Sequence, residues 1–134
     1  MISLSMQKLP PPAAPAVLQK AKNAYSLWFS ILNDFPKVHR YTLGGKIENY
    51  FLDLLENIFI SLYLPPKEKI NSLHLAIAKL DGVKFFSQIA WENKSIAKEK
   101  FITLSEQLQE IGKMLGGWKK GIEAKLLQQK TPSS

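Results

Sequence analysis

Three stretches of this chain repeat apolar residues at steps of three and four, which places the apolar side chains on one face of an α-helix, and a further stretch between them is helical but apolar around most of its circumference. The clearest run is Phe101, Leu104, Leu108, Ile111, Leu115 and Trp118. No stretch alternates apolar and polar residues in the way that a half-buried strand does. The pattern therefore predicts an all-α protein that folds as an antiparallel up-down-up-down four-helix bundle.

Prolines and glycines predict where these helices begin and end. The predicted helices are Pro15–Asn33, a second from Val38 or Leu43 to Tyr63, Lys67–Trp91, and Ser95–Leu115. Phe35-Pro36 ends the first helix, because a residue before proline avoids the helical conformation. Pro66 suits the first turn of the third helix.

Two glycine pairs lie at or inside predicted helices. Gly44-Gly45 either delay the start of the second helix or admit the close approach of another backbone, since glycine disfavours a helix interior. Gly116-Gly117 are predicted to break the fourth helix, with Trp118 to Gln129 forming a short basic helix beyond them.

The length of 134 residues fits a single domain. Residues 1–15 contain four prolines and are predicted to form a flexible arm or a strap that docks on a partner, with a frayed terminus as the alternative. Residues 16–130 form the bundle, and residues 131–134 form a tail.

The third predicted helix carries more apolar surface than one bundle can cover. Its polar residues His74, Asp81 and Gln88 share one narrow wedge, and most of the remaining circumference is apolar. A helix of this kind is buried on two sides. We therefore expect a second apolar contact, most simply with another copy of the chain, and Lys79 within that arc either snorkels or faces a pore. The candidate interface residues are Leu75, Lys79, Phe85, Phe86 and Ile89.

The chain is strongly basic, with a formal net charge of +7. This balance indicates an acidic partner, either nucleic acid or another anionic surface. Arg40 is the only arginine, and lysine suits phosphates better than base edges because it lacks the bidentate fork. A merely solvated basic surface is the alternative interpretation. The candidate binding residues are Lys37, Arg40, Lys46, Lys94, Lys98, Lys100, Lys113, Lys119 and Lys120.

Residues that could perform catalysis are scarce. The absence of cysteine excludes disulfides, thiolate metal sites and cysteine nucleophiles, and only two histidines are present. Asp53 and Glu56 share a helix face but have no partner base in the pattern. Tyr41 and Trp118 are interpreted as packing anchors rather than as stacking platforms for bases. We predict a protein that is not an enzyme and needs no metal or other cofactor.

Neither a targeting segment nor a membrane span is predicted. The most apolar window, Tyr50 to Leu64, contains Asp53 and Glu56 and is too short to cross a bilayer. We therefore expect a cytoplasmic protein that does not contact a membrane.

Three motifs resemble one protein family over about residues 18–120. They are the stretch Phe35–Gly44, the stretch from Ala76-Ile77-Ala78-Lys79-Leu80-Asp81 to Ala90-Trp91-Glu92, and Ile111-Gly112-Lys113-Met114-Leu115-Gly116-Gly117-Trp118. Their order and spacing resemble those of the accessory variability determinant (Avd) proteins of diversity-generating retroelements.

The resemblance implies a four-helix bundle that assembles into a homopentameric barrel. It also implies a non-catalytic partner of the retroelement reverse transcriptase that binds nucleic acid, the template-repeat RNA above all and DNA as a further candidate, and so supports mutagenic cDNA synthesis. Lysine stands at Lys113, where the family often has arginine. The alternative is a homo-oligomeric structural bundle without a nucleic-acid role, of the type encoded by intervening sequences in ribosomal RNA genes.

Overall fold

The computed structural model describes residues 13–130, and within that range it contains five α-helices and no strand. The helices are α1 (Ala13–Asn33), α2 (Lys37–Arg40), α3 (Leu43–Ser61), α4 (Pro66–Glu92) and α5 (Lys98–Lys130). An all-helical fold was predicted and is confirmed over this range. Because α1 begins at Ala13, the last three residues of the predicted arm are helical. Residues 1–12 of that arm and the predicted tail lie outside the described residues.

The four long helices surround one apolar core. Helix α4 packs against α3 and α5, α1 packs against the same two helices, and the short α2 contacts α3. Helices α3 and α5 bury the faces that their three-and-four spacing predicts, whereas the buried face of α1 is centred on Val17, Ala24 and Ile31. The largest fully buried side chains are Trp28, Phe51, Ile47, Leu54, Ile58, Leu73, Leu80, Leu104, Leu108, Ile111, Leu115 and Val17.

A polar network within this packing joins α1 to α3. The Tyr25 hydroxyl and the Trp28 indole N–H donate to the two oxygens of the Glu48 carboxylate, at 2.7 Å and 2.8 Å. The indole ring of Trp28 stacks on Phe51 and meets Phe35 edge to face. Glu48 thus satisfies two polar groups that the aromatic core would otherwise leave unpaired, and it fixes the register of the two helices.

Gly44 allows α1 and α3 to approach closely. A Cβ atom at this position would lie 2.9 Å from Leu32 Cδ1 and 3.5 Å from the His39 carbonyl oxygen. A Cβ at Gly45 would meet nothing within 4 Å. The late start of the helix at Leu43 is therefore confirmed. The close approach at Gly44 is to the Leu32 side chain and not, as the alternative had it, to another backbone.

Prolines separate α3 from α4 as predicted. Pro65 is the N-cap residue of α4 and Pro66 occupies its first turn. The Lys69 ammonium reaches back to the Leu62 carbonyl at the end of α3, and burial lowers the pKa of this lysine. The turn is therefore closed by fixed proline geometry and by one lysine that caps a helix end.

The predicted break at Gly116-Gly117 is wrong, because α5 continues without interruption to Lys130. Neither glycine has a positive φ, so both keep helical geometry. A glycine costs about 1 kcal/mol relative to alanine in a helix interior. Trp118 and Ile122 pack against the core beyond the pair and offset that cost. No helix within residues 13–130 combines the length and the apolar character that crossing a membrane requires.

The Tyr25–Glu48 hydrogen bond predicts how stability changes at high pH. Burial, followed by the hydrogen bond to Glu48, raises the pKa of Tyr25 from 10.0 to about 12. The protonated phenol of Tyr25 therefore makes its full contribution to the free energy of unfolding at pH values below about 10, the pKa of tyrosine in the unfolded chain. This contribution is lost as the pH rises from about 10 to about 12. We expect Tyr25→Phe to have a smaller fall in unfolding free energy than the wild type over this range, measured by urea denaturation.

Tyr41→Phe provides the matched control, because Tyr41 is exposed. It should follow the wild-type pH dependence, including the part that lysine titration contributes. If the unfolding free energy of Tyr25→Phe changed with pH in parallel with that of the wild type, the raised pKa of Tyr25 would not be the cause of the fall.

Candidate functional site

One end of the molecule collects several of the predicted basic residues, and we call it the α2 end. It comprises the loop after α1, α2 itself, the α4–α5 turn and the first turn of α5. His39 Nδ1 lies 2.8 Å from the hydroxyl oxygen of Ser95, which links α2 to that turn. A cleft of about 280 Å³ opens beside this contact, and its lining residues are Ile31, Asp34, Pro36, Lys94, Ser95, Ile96, Ala97 and Lys100.

Lys94 adopts a left-handed backbone conformation in the α4–α5 turn, with φ at 63°. The Lys94 N–H donates to the Trp91 carbonyl at 3.0 Å and the Ser95 N–H to the Ala90 carbonyl at 2.7 Å. This pair of bonds is the Schellman closure of a helix, in which glycine is the usual left-handed residue. A lysine here places a cation at the rim of the cleft at the expense of backbone strain.

Some of the predicted basic residues at this end have exposed side chains, and one is hydrogen-bonded within its own chain. Lys37, Lys98 and Lys100 are exposed, as is Lys94. Arg40 is different, because its guanidinium donates to the carbonyls of Asn33 and Phe35 at 3.1 Å and 3.2 Å. Arg40 therefore secures the end of α1, and lysines supply the exposed charge.

The other predicted basic residues lie elsewhere. The Lys46 ammonium lies over the rings of Tyr50 and Phe86, at 5.3 Å and 5.9 Å from their centroids. Lys113 is exposed on α5, about 22 Å along the helix from Lys98 at 1.5 Å per residue. Still farther along, Lys119 pairs with Glu123 at 3.3 Å and Lys120 is exposed. The nine candidates thus do not form one surface.

Helix α4 leaves an apolar stripe uncovered within the described chain. The α4 stripe consists of Leu75, Ala78, Phe85 and Ile89, with Leu75 at 50% and Phe85 at 58% exposure. Its opposite face, which includes Ala76, Leu80 and Val83, is fully buried in the core. The predicted second apolar side is therefore present, next to an exposed polar wedge of His74, Asp81 and Gln88.

An aromatic cluster borders the α4 stripe on the side of α3. Tyr50 stacks on Phe86 with the ring centroids 5.7 Å apart, and Phe86 meets Phe85 edge to face. A Cβ atom at Gly82 would lie 2.7 Å from the Tyr50 ring, so this glycine makes the room for that ring. Lys79 pairs with Asp53 at 3.4 Å and lies over Tyr50. Of the predicted interface residues, Lys79 thus already has an ionic partner within its own chain.

The structure also exposes aromatic residues that the sequence patterns assigned to packing. Tyr41 is 86% exposed, so its interpretation as a packing anchor is wrong, whereas Trp118 does pack against the core. Tyr41 is the C-cap residue of α2 and precedes α3, so it has no place in the apolar stripe of either long helix. Phe29 and Phe59 are likewise about half exposed.

These features can be set beside known proteins. A profile of the bAvd-like family matches residues 16–122. The chain belongs to the bAvd-like family. The match confirms the resemblance to Avd proteins that the three motifs carry, and it includes every candidate residue of both surfaces. No curated protein matches the chain closely enough to count as a relative.

A solved structure resembles this bAvd-like protein in fold. It is a protein of unknown function from the S23 ribosomal protein family of Bacteroides thetaiotaomicron. The superposition has a TM-score of 0.73 and covers 81% of this chain and 98% of the other, at 15% sequence identity. At that identity the likeness establishes a shared helical fold.

The strained turn at Lys94 predicts a stabilising substitution. Lys94→Gly should raise the free energy of unfolding by about 1 kcal/mol, because glycine adopts positive φ without a Cβ clash. Asn93→Gly is the matched control, since Asn93 has a φ of −96° and donates to the Ile89 carbonyl. The control should be destabilised in the same urea titration. If the Lys94→Gly protein were no more stable than the wild type, the backbone at Lys94 would not be strained.

Proposed function

We propose that this chain is the non-catalytic accessory subunit of a diversity-generating retroelement. It binds nucleic acid, including the template-repeat RNA, together with the reverse transcriptase, and it supports mutagenic cDNA synthesis by that enzyme. The observation that carries the proposal is the family match over residues 16–122, whose description is bAvd-like. The three sequence motifs lie inside this range.

The charge at the α2 end supports the nucleic-acid part of the proposal. Lys37, Lys94, Lys98 and Lys100 are exposed there, and two of them line the cleft. Phosphate binding needs several cations on one surface, and its affinity falls with salt because counterions are released on binding. Since the only arginine is occupied in holding α1, this surface favours phosphate contacts over bidentate contacts to base edges.

The α4 stripe supports self-assembly. We propose that the protomer is an antiparallel up-down-up-down bundle of α1, α3, α4 and α5, and that five protomers close into a barrel. Leu75, Phe85, Phe86 and Ile89 are buried between subunits in this arrangement. Assembly also repeats the net charge of +7 around the ring, which strengthens the field felt by a polyanion.

A second candidate function is a structural oligomer without a nucleic-acid role. The observation that favours it is the fold shared with a protein of the S23 ribosomal protein family. Both candidates use the α4 stripe for assembly, so only the binding of nucleic acid separates them.

RNA binding should depend on the lysines of the α2 end. We expect Lys94→Glu, Lys98→Glu and Lys100→Glu, combined in one variant, to weaken binding of a template-repeat transcript on the order of 100-fold at low salt, measured by fluorescence anisotropy. The wild-type affinity should itself fall steeply as salt is raised.

A matched variant changes the charge equally at other places. Lys20→Glu, Lys22→Glu and Lys125→Glu alter exposed residues of α1 and of the far end of α5. This control should bind much more tightly than the α2-end variant. If both variants lost the same affinity for RNA, the effect would come from net charge alone and not from the α2 end. If the wild type did not bind RNA at low salt, the nucleic-acid role would be overturned.

Assembly should depend on the α4 stripe. Phe85→Glu would place a carboxylate in the buried part of the proposed interface. We therefore expect the variant protein to sediment with the mass of one chain and to keep the helicity of the wild type. Ile102→Glu is the control, because Ile102 is 46% exposed on α5, away from the stripe. A Phe85→Glu protein with the wild-type mass would contradict the proposed interface.

A further inference from the structure

Helix α2 and its C-cap residue Tyr41 expose apolar side chains next to Lys37 and attach to the bundle through polar ones. Within its single turn, His39 and Arg40 face the molecule, where one contacts Ser95 and the other the end of α1. Val38 and Tyr41 face outward, with 76% and 86% of their surface exposed. Polar side chains therefore attach this turn to the bundle, and its apolar side chains point into solvent.

The Tyr41 ring makes no hydrogen bond and no ring contact with the described residues, although buried tyrosines normally find both. An outward aromatic ring beside an outward aliphatic side chain is the kind of exposed apolar surface that a partner covers.

We propose that the outer face of α2 binds single-stranded nucleic acid, with an unpaired base stacked on Tyr41 and a neighbouring phosphate held by Lys37. This inference rests on the proposed function and specifies which form of nucleic acid the α2 end takes. Lys37 lies four residues before Tyr41, so the two side chains lie on the same side of the turn. An aromatic ring next to a cation is the basic unit of a single-strand binding surface.

The surrounding charge favours a polyanion over a protein as the occupant. The contact between His39 and Ser95 brings the lysines of the α4–α5 turn to the same end of the molecule. The cations there outnumber the carboxylates; they are Lys37, Arg40, Lys94, Lys98 and Lys100 against Asp34, Glu92 and Glu99. A strand whose base lies on Tyr41 can thus reach further lysines for its adjacent phosphates.

Stacking also distinguishes single strands from duplexes. In a duplex both faces of each base are covered by neighbouring base pairs, so no face is open to an exposed side chain. A single strand offers its base faces freely, and every base has one, so the site tolerates many sequences. We therefore expect the wild type to bind an unstructured single-stranded RNA more tightly than the duplex of the same sequence at the same salt concentration.

The test measures binding of a fluorescein-labelled oligouridylate to the full chain by anisotropy. Tyr41→Ala should weaken binding about 5-fold to 100-fold, whereas Tyr41→Phe, which keeps the ring, should remain within about 2-fold of the wild type. The salt dependence of Tyr41→Ala should match the wild type, since no charge is removed. Tyr63→Ala is the matched control, because Tyr63 is an exposed tyrosine at the opposite end of α3, and it should bind as the wild type does.

One outcome would overturn the proposal and leave the nucleic-acid role intact, namely that Tyr41→Ala binds the single strand as tightly as the wild type. If that variant also failed to co-purify with the reverse transcriptase, the outer face of α2 would be a protein-docking surface. Absence of any RNA binding by the wild type would instead remove the proposed function on which the inference rests.

Discussion

The proposed assembly follows from the surplus apolar surface of α4. One face of the helix lies in the core with Ala76, Leu80 and Val83, and the α4 stripe lies outside it. Each large apolar side chain left in water forgoes roughly 1.5–3 kcal/mol of burial free energy. The Tyr50–Phe86 stack and the room made by Gly82 extend this surface onto α3. A second copy of the same chain is a partner that is always present and can cover the α4 stripe.

The α2 end combines a strained backbone with exposed apolar side chains. Lys94 adopts a backbone conformation that suits glycine, and α2 turns Val38 and Tyr41 toward solvent. Interactions nearby compensate, because Arg40 holds the end of α1 and His39 contacts Ser95. Strain that persists where the surrounding structure supports it is typical of functional sites.

Much of the fold was predictable from the sequence, because apolar spacing and proline positions act locally. The helix bounds agree to within a few residues for α1, α3 and α4. The break at Gly116-Gly117 was wrong because packing of Trp118 outweighs the weak preference of two glycines. The site was harder to predict, since a list of basic residues does not say which ones are already engaged. Arg40 and Lys46 have partners inside the protomer that only the three-dimensional packing brings near.

The mass of the purified full chain in solution is the most direct test of self-assembly through the α4 stripe. Light scattering on a sample eluting from a size-exclusion column at micromolar concentration gives that mass independently of shape. We predict an assembly of five 15.2 kDa chains, in which the α4 stripe is no longer exposed to water. A stable species with the mass of one chain, well behaved at the same concentration, would contradict it.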